Sequence, residues 1–205
     1  NINNIDLRWE FFPSAGELFS VSTFYKTFEA PIELVRITTA QTIGEVQPRN
    51  VGNGRVLGAE VEIRKSLSFL GTSFSNLSTY GNLTLVESEI EMTSIEFQSR
   101  LVYEKEGQSI DNKRVMAGQA PYVVNFGVQY DDAVRAVDAG IFYNVKGRTL
   151  TIVGEGFFPD IYSVPFHSLN FNLNKSLGAD RKTVLSLKVS NILNDDREEF
   201  FSGFN

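Results

Sequence analysis

The 205-residue sequence predicts an all-β protein, an antiparallel transmembrane β-barrel, and three patterns support this fold class. Apolar and polar residues alternate with a period of two in eight segments, as in strands with one apolar and one wet face. Each segment has about 9–11 residues, the length that a tilted strand needs to cross a bilayer. Short and long connections alternate strictly, which is typical of barrels with short turns on one side of the membrane and long loops on the other.

The alternation is clear in the first segment, where Ile5, Leu7, Trp9 and Phe11 share one face and charged residues share the other. The same division recurs in the later segments, although Phe24 falls on a polar face. Charged side chains are costly against acyl chains, so the apolar faces should contact lipid and the polar faces a hydrated lumen. The predicted strands cover residues 5–11, 19–26, 57–64, 77–85, 124–130, 138–146, 168–174 and 185–190.

Short turns are expected around residues 13–17, 65–71, 131–136 and 177–182. The four long connections lie near 29–53, 88–119, 147–163 and 193–205, and we call them loops 1 to 4. Binding residues concentrate on loops that a rigid scaffold positions, so these loops are the expected substrate-binding segments. Loops 2 and 4 are acidic in places, and we interpret their charges as solvated surface rather than as a cation site.

Aromatic residues gather near the first short turn, at Trp9, Phe11 and Phe19, and Tyr130 flanks another. Outer-membrane barrels carry aromatic girdles at both bilayer interfaces. These four residues are therefore predicted to face the membrane interface.

A soluble β-sandwich or lipocalin-like barrel is the alternative, with the apolar faces turned inward. Periodicity alone does not separate the two folds, and the long loops at one end favour the membrane barrel. In the soluble fold, Trp9 and Phe19 would be core residues.

Composition excludes several function classes. The formal net charge of -6 argues against a nucleic-acid partner, because phosphate binding needs clustered Lys and Arg. With no Cys and with His167 as the sole histidine, the chain has no Cys–His pair and no two-histidine metal site. We predict no catalytic residue, no cofactor and no bound metal, and hence no enzyme.

Four stretches together resemble the late barrel strands of TonB-dependent outer-membrane receptors, particularly those of Bacteroidota. They are "NIDLRWEFFPSAGELFSVSTFYKTFEAPIE" (4–33), "RVLGAEVEIRKSL" (55–67), "RVMAGQAPYVVNFGVQYDD" (114–132) and "FNLNKSLG…LSLKVSNILND" (171–195). The resemblance covers essentially the whole chain and lies in the order and spacing of strand patterns.

The resemblance implies a fragment of about eight strands from a larger barrel of about 22 strands with a plugged lumen. Residues 1–205 would form the C-terminal portion of that barrel, with the plug domain and the closing strand absent. The expected function is import of a ligand too large for porins, in the bacterial outer membrane. Siderophore, glycan, peptide and cobalamin ligands all fit these residues.

The implied partners are outer-membrane lipid, the rest of the barrel, the plug domain, and TonB through absent N-terminal parts. Some relatives also have a surface lipoprotein over their loops. Phe12 and Phe24, which point to the polar face, are expected to contact the plug. A passive pore or scaffold barrel without TonB coupling remains the alternative function.

Overall fold

A computed structural model describes residues 1–38, 42, 44–107 and 109–202. These residues form fourteen strands and one α-helix, arranged as a nine-stranded and a five-stranded sheet. Among them, no helix has both the length and the apolar character needed to cross a bilayer.

The larger sheet, which we call the wall sheet, contains all eight predicted strands. They pair antiparallel in chain order, and a two-residue strand, β7 (Lys113–Arg114), pairs with the last residues of β6. Long periodic segments thus fold as expected, with strand ends extended by a few residues. The strands are β1 (Ile2–Phe11), β2 (Leu18–Phe28), β5 (Gly54–Ser66), β6 (Leu77–Glu91), β8 (Tyr122–Asp132), β9 (Val137–Lys146), β12 (Phe166–Leu177) and β13 (Thr183–Val189).

The apolar face of the wall sheet remains exposed along its length. Leu7 is 73% exposed, Leu57 52% and Phe126 50%. A soluble sandwich would bury these side chains, because burial of apolar area is the main driving force of its folding. The arrangement is that of a membrane barrel, whose outer face is covered by lipid. β1 and β13 form the open edges of the sheet, and a barrel requires both edges to pair with further strands.

Loops 1, 3 and 4 form the smaller sheet, which we call the cap sheet. Its strands are short, and β10 pairs in parallel with β3 while the other pairs are antiparallel. Loop 2 contributes β7 and the helix α1 (Ser94–Leu101). The order of the cap sheet is β14 (Glu199–Ser202), β11 (Asp160–Ser163), β10 (Thr149–Gly154), β3 (Ile32–Arg36) and β4 (Val46–Asn50).

The hydrophobic core lies between the cap sheet and the polar face of the wall sheet, at the loop end of the wall strands. Phe24 and Phe28 of β2 pack against it. Phe24 also covers Gly58, its partner across the strands, where an added Cβ would lie 2.2 Å from the ring. Phe24 therefore packs within this chain, and its expected contact with the plug stays a prediction. The buried core residues are Val35, Ile37, Val51, Val56, Ile90, Met116, Leu150 and Val153.

Candidate functional site

The candidate site consists of two adjoining cavities where the cap sheet, loop 2 and the wall sheet meet. The first has a volume of about 400 Å³ and the second about 490 Å³, each within the range of small-molecule sites. Val115, Arg148 and Tyr162 line both cavities and form their common wall.

The two cavities differ in character. Arg100, Lys113 and Arg114 line the first together with Asp111 and Asp160. Apolar side chains dominate the second, which Val86, Pro121 and Leu150 line beside Glu87, Ser88 and Gln119. The arrangement places a charged compartment next to an apolar one.

A buried charge network holds loops 2 and 3 together beside the first cavity. Arg100 donates two hydrogen bonds to Asp160, at 3.1 and 2.9 Å, and one to Glu96 at 3.2 Å. Helix α1 positions Glu96 and Arg100 one turn apart, and Thr93 caps it by accepting from the Glu96 backbone N–H at 3.2 Å. A bidentate Arg–carboxylate contact fixes direction as well as distance, so it orients α1 against β11.

The same network reaches loop 1 through Arg114. Its guanidinium lies 2.6 Å from Glu96 and 2.8 Å from Glu33, and Glu33 also accepts from the Ala117 backbone N–H at 2.7 Å. Burial disfavours the charged form of Arg114, but the adjacent Glu96 and Glu33 carboxylates outweigh it and raise its pKa. Loops 1, 2 and 3 are therefore linked by one group of buried, mutually paired charges.

Arg148, at the common wall, is held by aromatic rings instead. Its guanidinium carbon lies 4.2 Å from the ring centre of Tyr162 and 4.6 Å from that of Phe200. The two rings are direct cross-strand neighbours in β11 and β14, with centres 5.9 Å apart and planes 23° apart. Arg148 also donates to Ser202 Oγ at 3.3 Å. A cation–π contact of this kind attracts the arginine charge without using its N–H donors.

Burial, with a smaller effect from Asp160, raises the pKa of Tyr162 above its usual value. The ring beneath Arg148 is therefore a neutral phenol at physiological pH.

Below the cap sheet, the polar face of the wall sheet carries paired side chains. Asn82 donates to Glu60, Asn125 donates to Asn82 at 3.5 Å, and Asn144 donates to Asn125. This amide row crosses from β5 to β9. It presents hydrogen-bonding groups to the hydrated lumen that a barrel of this kind encloses.

All four predicted loop segments contribute to this region. Loops 1, 3 and 4 (near 29–53, 147–163 and 193–205) form the cap sheet, and loop 2 (near 88–119) provides α1, β7 and residues that line the cavities. Residues 39–41, 43, 108 and 203–205 lie outside the described part of the chain. The expectation that loop charges are solvated is wrong for Glu96 and Arg100, which are buried. Glu96 pairs with Arg100 and Arg114 inside loop 2, and Arg100 also pairs with Asp160 of loop 3. One local signal was present: Thr93-Ser94-Ile95-Glu96 has the Thr-x-x-Glu spacing of a helix N-terminus.

Three of the predicted interface aromatics, Trp9, Phe11 and Phe19, cluster on the apolar face. The Trp9 ring centre lies 6.0 Å from that of Phe19, edge to face, and 6.3 Å from that of Phe11. Tyr130 donates its hydroxyl to Asp132 at 2.9 Å. Their contact with the bilayer interface stays a prediction.

No group of three or more His, Asp or Glu residues with metal-binding geometry occurs within residues 1–38, 42, 44–107 and 109–202. The charged groups of the cavities instead pair with one another or lie open to the cavity. They can bind a ligand by charge and stacking.

Comparison with solved structures relates the fold to two receptors. The copper transporter OprC matches with a TM-score of 0.66 at 16% identity, covering 97% of this chain and 26% of OprC. A mutant of the ferric enterobactin receptor PfeA from Pseudomonas aeruginosa matches with a TM-score of 0.56 at 13% identity, covering 94% of this chain and 25% of PfeA. The chain thus spans about a quarter of the length of these proteins.

No curated protein matches the sequence. The family profile described as "TonB dependent receptor-like, beta-barrel" matches residues 2–192. This match covers nearly the whole chain and agrees with the wall sheet and its exposed apolar face. The chain belongs to the TonB-dependent receptor β-barrel family, whose members are receptors and transporters rather than enzymes.

Proposed function

We propose that this chain forms part of the wall and the ligand-binding cap of a TonB-dependent importer in the bacterial outer membrane. Its ligand is too large for porins, and uptake is energised by TonB. The observation that carries the proposal is the division of the wall sheet: an exposed apolar face on one side, and a polar face whose loop end is covered by the cap sheet.

Residues 1–205 are proposed to form the C-terminal portion of the barrel. The open edges of β1 and β13 support this, because each needs a partner strand in a closed barrel. The plug domain would dock on the polar face, and TonB would act through N-terminal parts of the receptor. A Bacteroidota origin and a surface lipoprotein over the loops belong to the same proposal.

A passive pore is the alternative function. Such a barrel needs an open lumen, whereas here loops 1, 3 and 4 pair into a sheet over the polar face. A folded cap with cavities suits a receptor that first binds its ligand and then admits it.

Uptake measurements in the native host test the proposal. Growth of a gene-deletion strain on single sources of iron, cobalamin, glycan or peptide identifies the ligand, and its uptake is then followed with and without a protonophore. We expect uptake to need the proton gradient and TonB. Uptake that survives the loss of both would contradict TonB coupling and support a passive pore.

A further inference from the structure

Arg148 differs from the other cations of the candidate site in its partners. Lys113 pairs with Glu89 at 3.0 Å, Arg100 with Asp160 at 2.9 Å, and Arg114 with Glu33 at 2.8 Å. In the described part of the chain, Arg148 makes no ion pair, and its polar contact is with Ser202. It is the cation of this site whose charge is left for a ligand.

The position of Arg148 defines what such a ligand must contain. The guanidinium stands at the common wall of a charged cavity and an apolar one, and it is exposed. Contact with the Tyr162 and Phe200 rings holds the guanidinium in place without using its N–H donors, which can therefore bind an oxyanion. The apolar cavity beyond it is lined by Val86, Pro121 and Leu150.

We propose that Arg148, Tyr162 and Phe200 form a binding site for one moiety of a larger soluble ligand, an acidic group on a flat apolar body such as an aromatic carboxylate. The acidic group binds the Arg148 guanidinium, and the apolar body enters the second cavity beside Leu150. This inference rests on the proposed function, because it names the chemical class of the ligand that the cap receives.

The probe for the test is 2-naphthoate, with the neutral 2-naphthamide as its isostere. Binding is measured by ligand-observed NMR on the full-length receptor in nanodiscs of neutral lipid. Hydrogen bonds to charged groups contribute about 1.5–3 kcal/mol, so we expect Arg148→Gln to weaken naphthoate binding about tenfold or more. Arg148→Lys should recover part of it, since the charge returns without the planar fork.

Arg181→Gln is the matched control, because Arg181 lies in a short turn at the opposite end of the wall sheet. It should leave naphthoate binding unchanged. Absence of naphthoate binding to the native receptor, equal binding of acid and amide, or an Arg148→Gln variant that binds normally would each overturn the proposal. Displacement of naphthoate by anionic lipid added to the nanodiscs would overturn the claim that the ligand is a soluble acid.

The binding assay contains no TonB and no proton gradient, so it is independent of the transport test. If naphthoate does not bind but uptake depends on the proton gradient, only the proposed ligand class is rejected. If naphthoate binds as expected but uptake does not need the proton gradient, only the coupling to TonB is rejected.

Discussion

Replacing Arg100 with Met should release the cap sheet while leaving the wall sheet intact. The guanidinium of Arg100 holds Asp160 of loop 3 through two hydrogen bonds and Glu96 through a third. All three side chains are buried, with exposures of 5–9%. The substitution keeps a similar volume but leaves the Asp160 carboxylate buried without its partner.

The size of the effect follows from that burial. Removing one partner of a buried ion pair costs about 3–5 kcal/mol, because the remaining charge stays desolvated. An exposed pair contributes about 0–1 kcal/mol. Lys182→Met is therefore the matched control, since Lys182 is 83% exposed and pairs at 3.5 Å, in a short turn, with Asp180, which is 60% exposed.

Hydrogen exchange of the full receptor in nanodiscs measures the consequence. A loss of about 3 kcal/mol corresponds to roughly a hundredfold faster opening, so backbone amides of β10, β11 and α1 should exchange about two orders of magnitude faster. Amides of β5 and β6 near their turn end should not change. Unchanged exchange of the cap sheet in Arg100→Met, or equal effects of Arg100→Met and Lys182→Met, would refute this role of the buried network.

Three further predictions concern packing, membrane depth and pH. Gly52→Ala should destabilise the junction of loop 1 with β6 by about 1–3 kcal/mol in unfolding experiments, because the added Cβ would lie 1.7 Å from the backbone oxygen of Glu91. Gly81→Ala, where the nearest contact of the added Cβ is 3.4 Å, should be tolerated. Equal stability of the two variants would contradict the packing. Urea unfolding from lipid vesicles should show that Leu7→Arg lowers the free energy of unfolding by about 2–4 kcal/mol and Phe11→Arg by about 0–1 kcal/mol, because Leu7 would lie nearer the bilayer centre. A larger loss for Phe11→Arg than for Leu7→Arg would argue against the proposed depth. Hydrogen bonds from Lys65, Ser14 and the Ser66 backbone lower the pKa of Glu17 below its usual 4.5. The stability that this carboxylate contributes should therefore be present above pH 4.5 and be lost as the pH falls through the lowered pKa. Glu17→Gln should remove that part of the acid dependence of unfolding, and an unchanged acid profile would contradict this role of Glu17.

The wall sheet could be predicted from sequence because each of its strands carries its own signal. A run such as Ile5–Phe11 alternates over its whole length, and its faces follow from residue type alone. Turn and loop lengths then gave the order of pairing. The exceptional position of Phe24 was visible from the sequence, but its cause was not, because the core cluster that it packs against comes from other segments.

The cap sheet could not be predicted in the same way. Its strands have four to six residues, and β10 pairs with β3 of a loop more than 100 residues earlier. Segments this short carry little periodicity, and their pairing is set by contacts between loops. The buried network has the same origin, since Glu33, Arg100 and Asp160 read as surface charges until the three loops meet. The helix signal at Thr93 was the exception, being entirely local.

The central claim is that the apolar face of the wall sheet contacts lipid, and fluorescence quenching of Trp9 tests it most directly. Trp9 is the single tryptophan of this chain, and the signal lost in a Trp9→Phe variant of the full receptor is assigned to it. With brominated lipids in the vesicle, we expect strong quenching that is greatest when bromine lies near the headgroups and weaker when it lies at the bilayer centre. A Trp9 signal that no brominated lipid quenches would contradict the account.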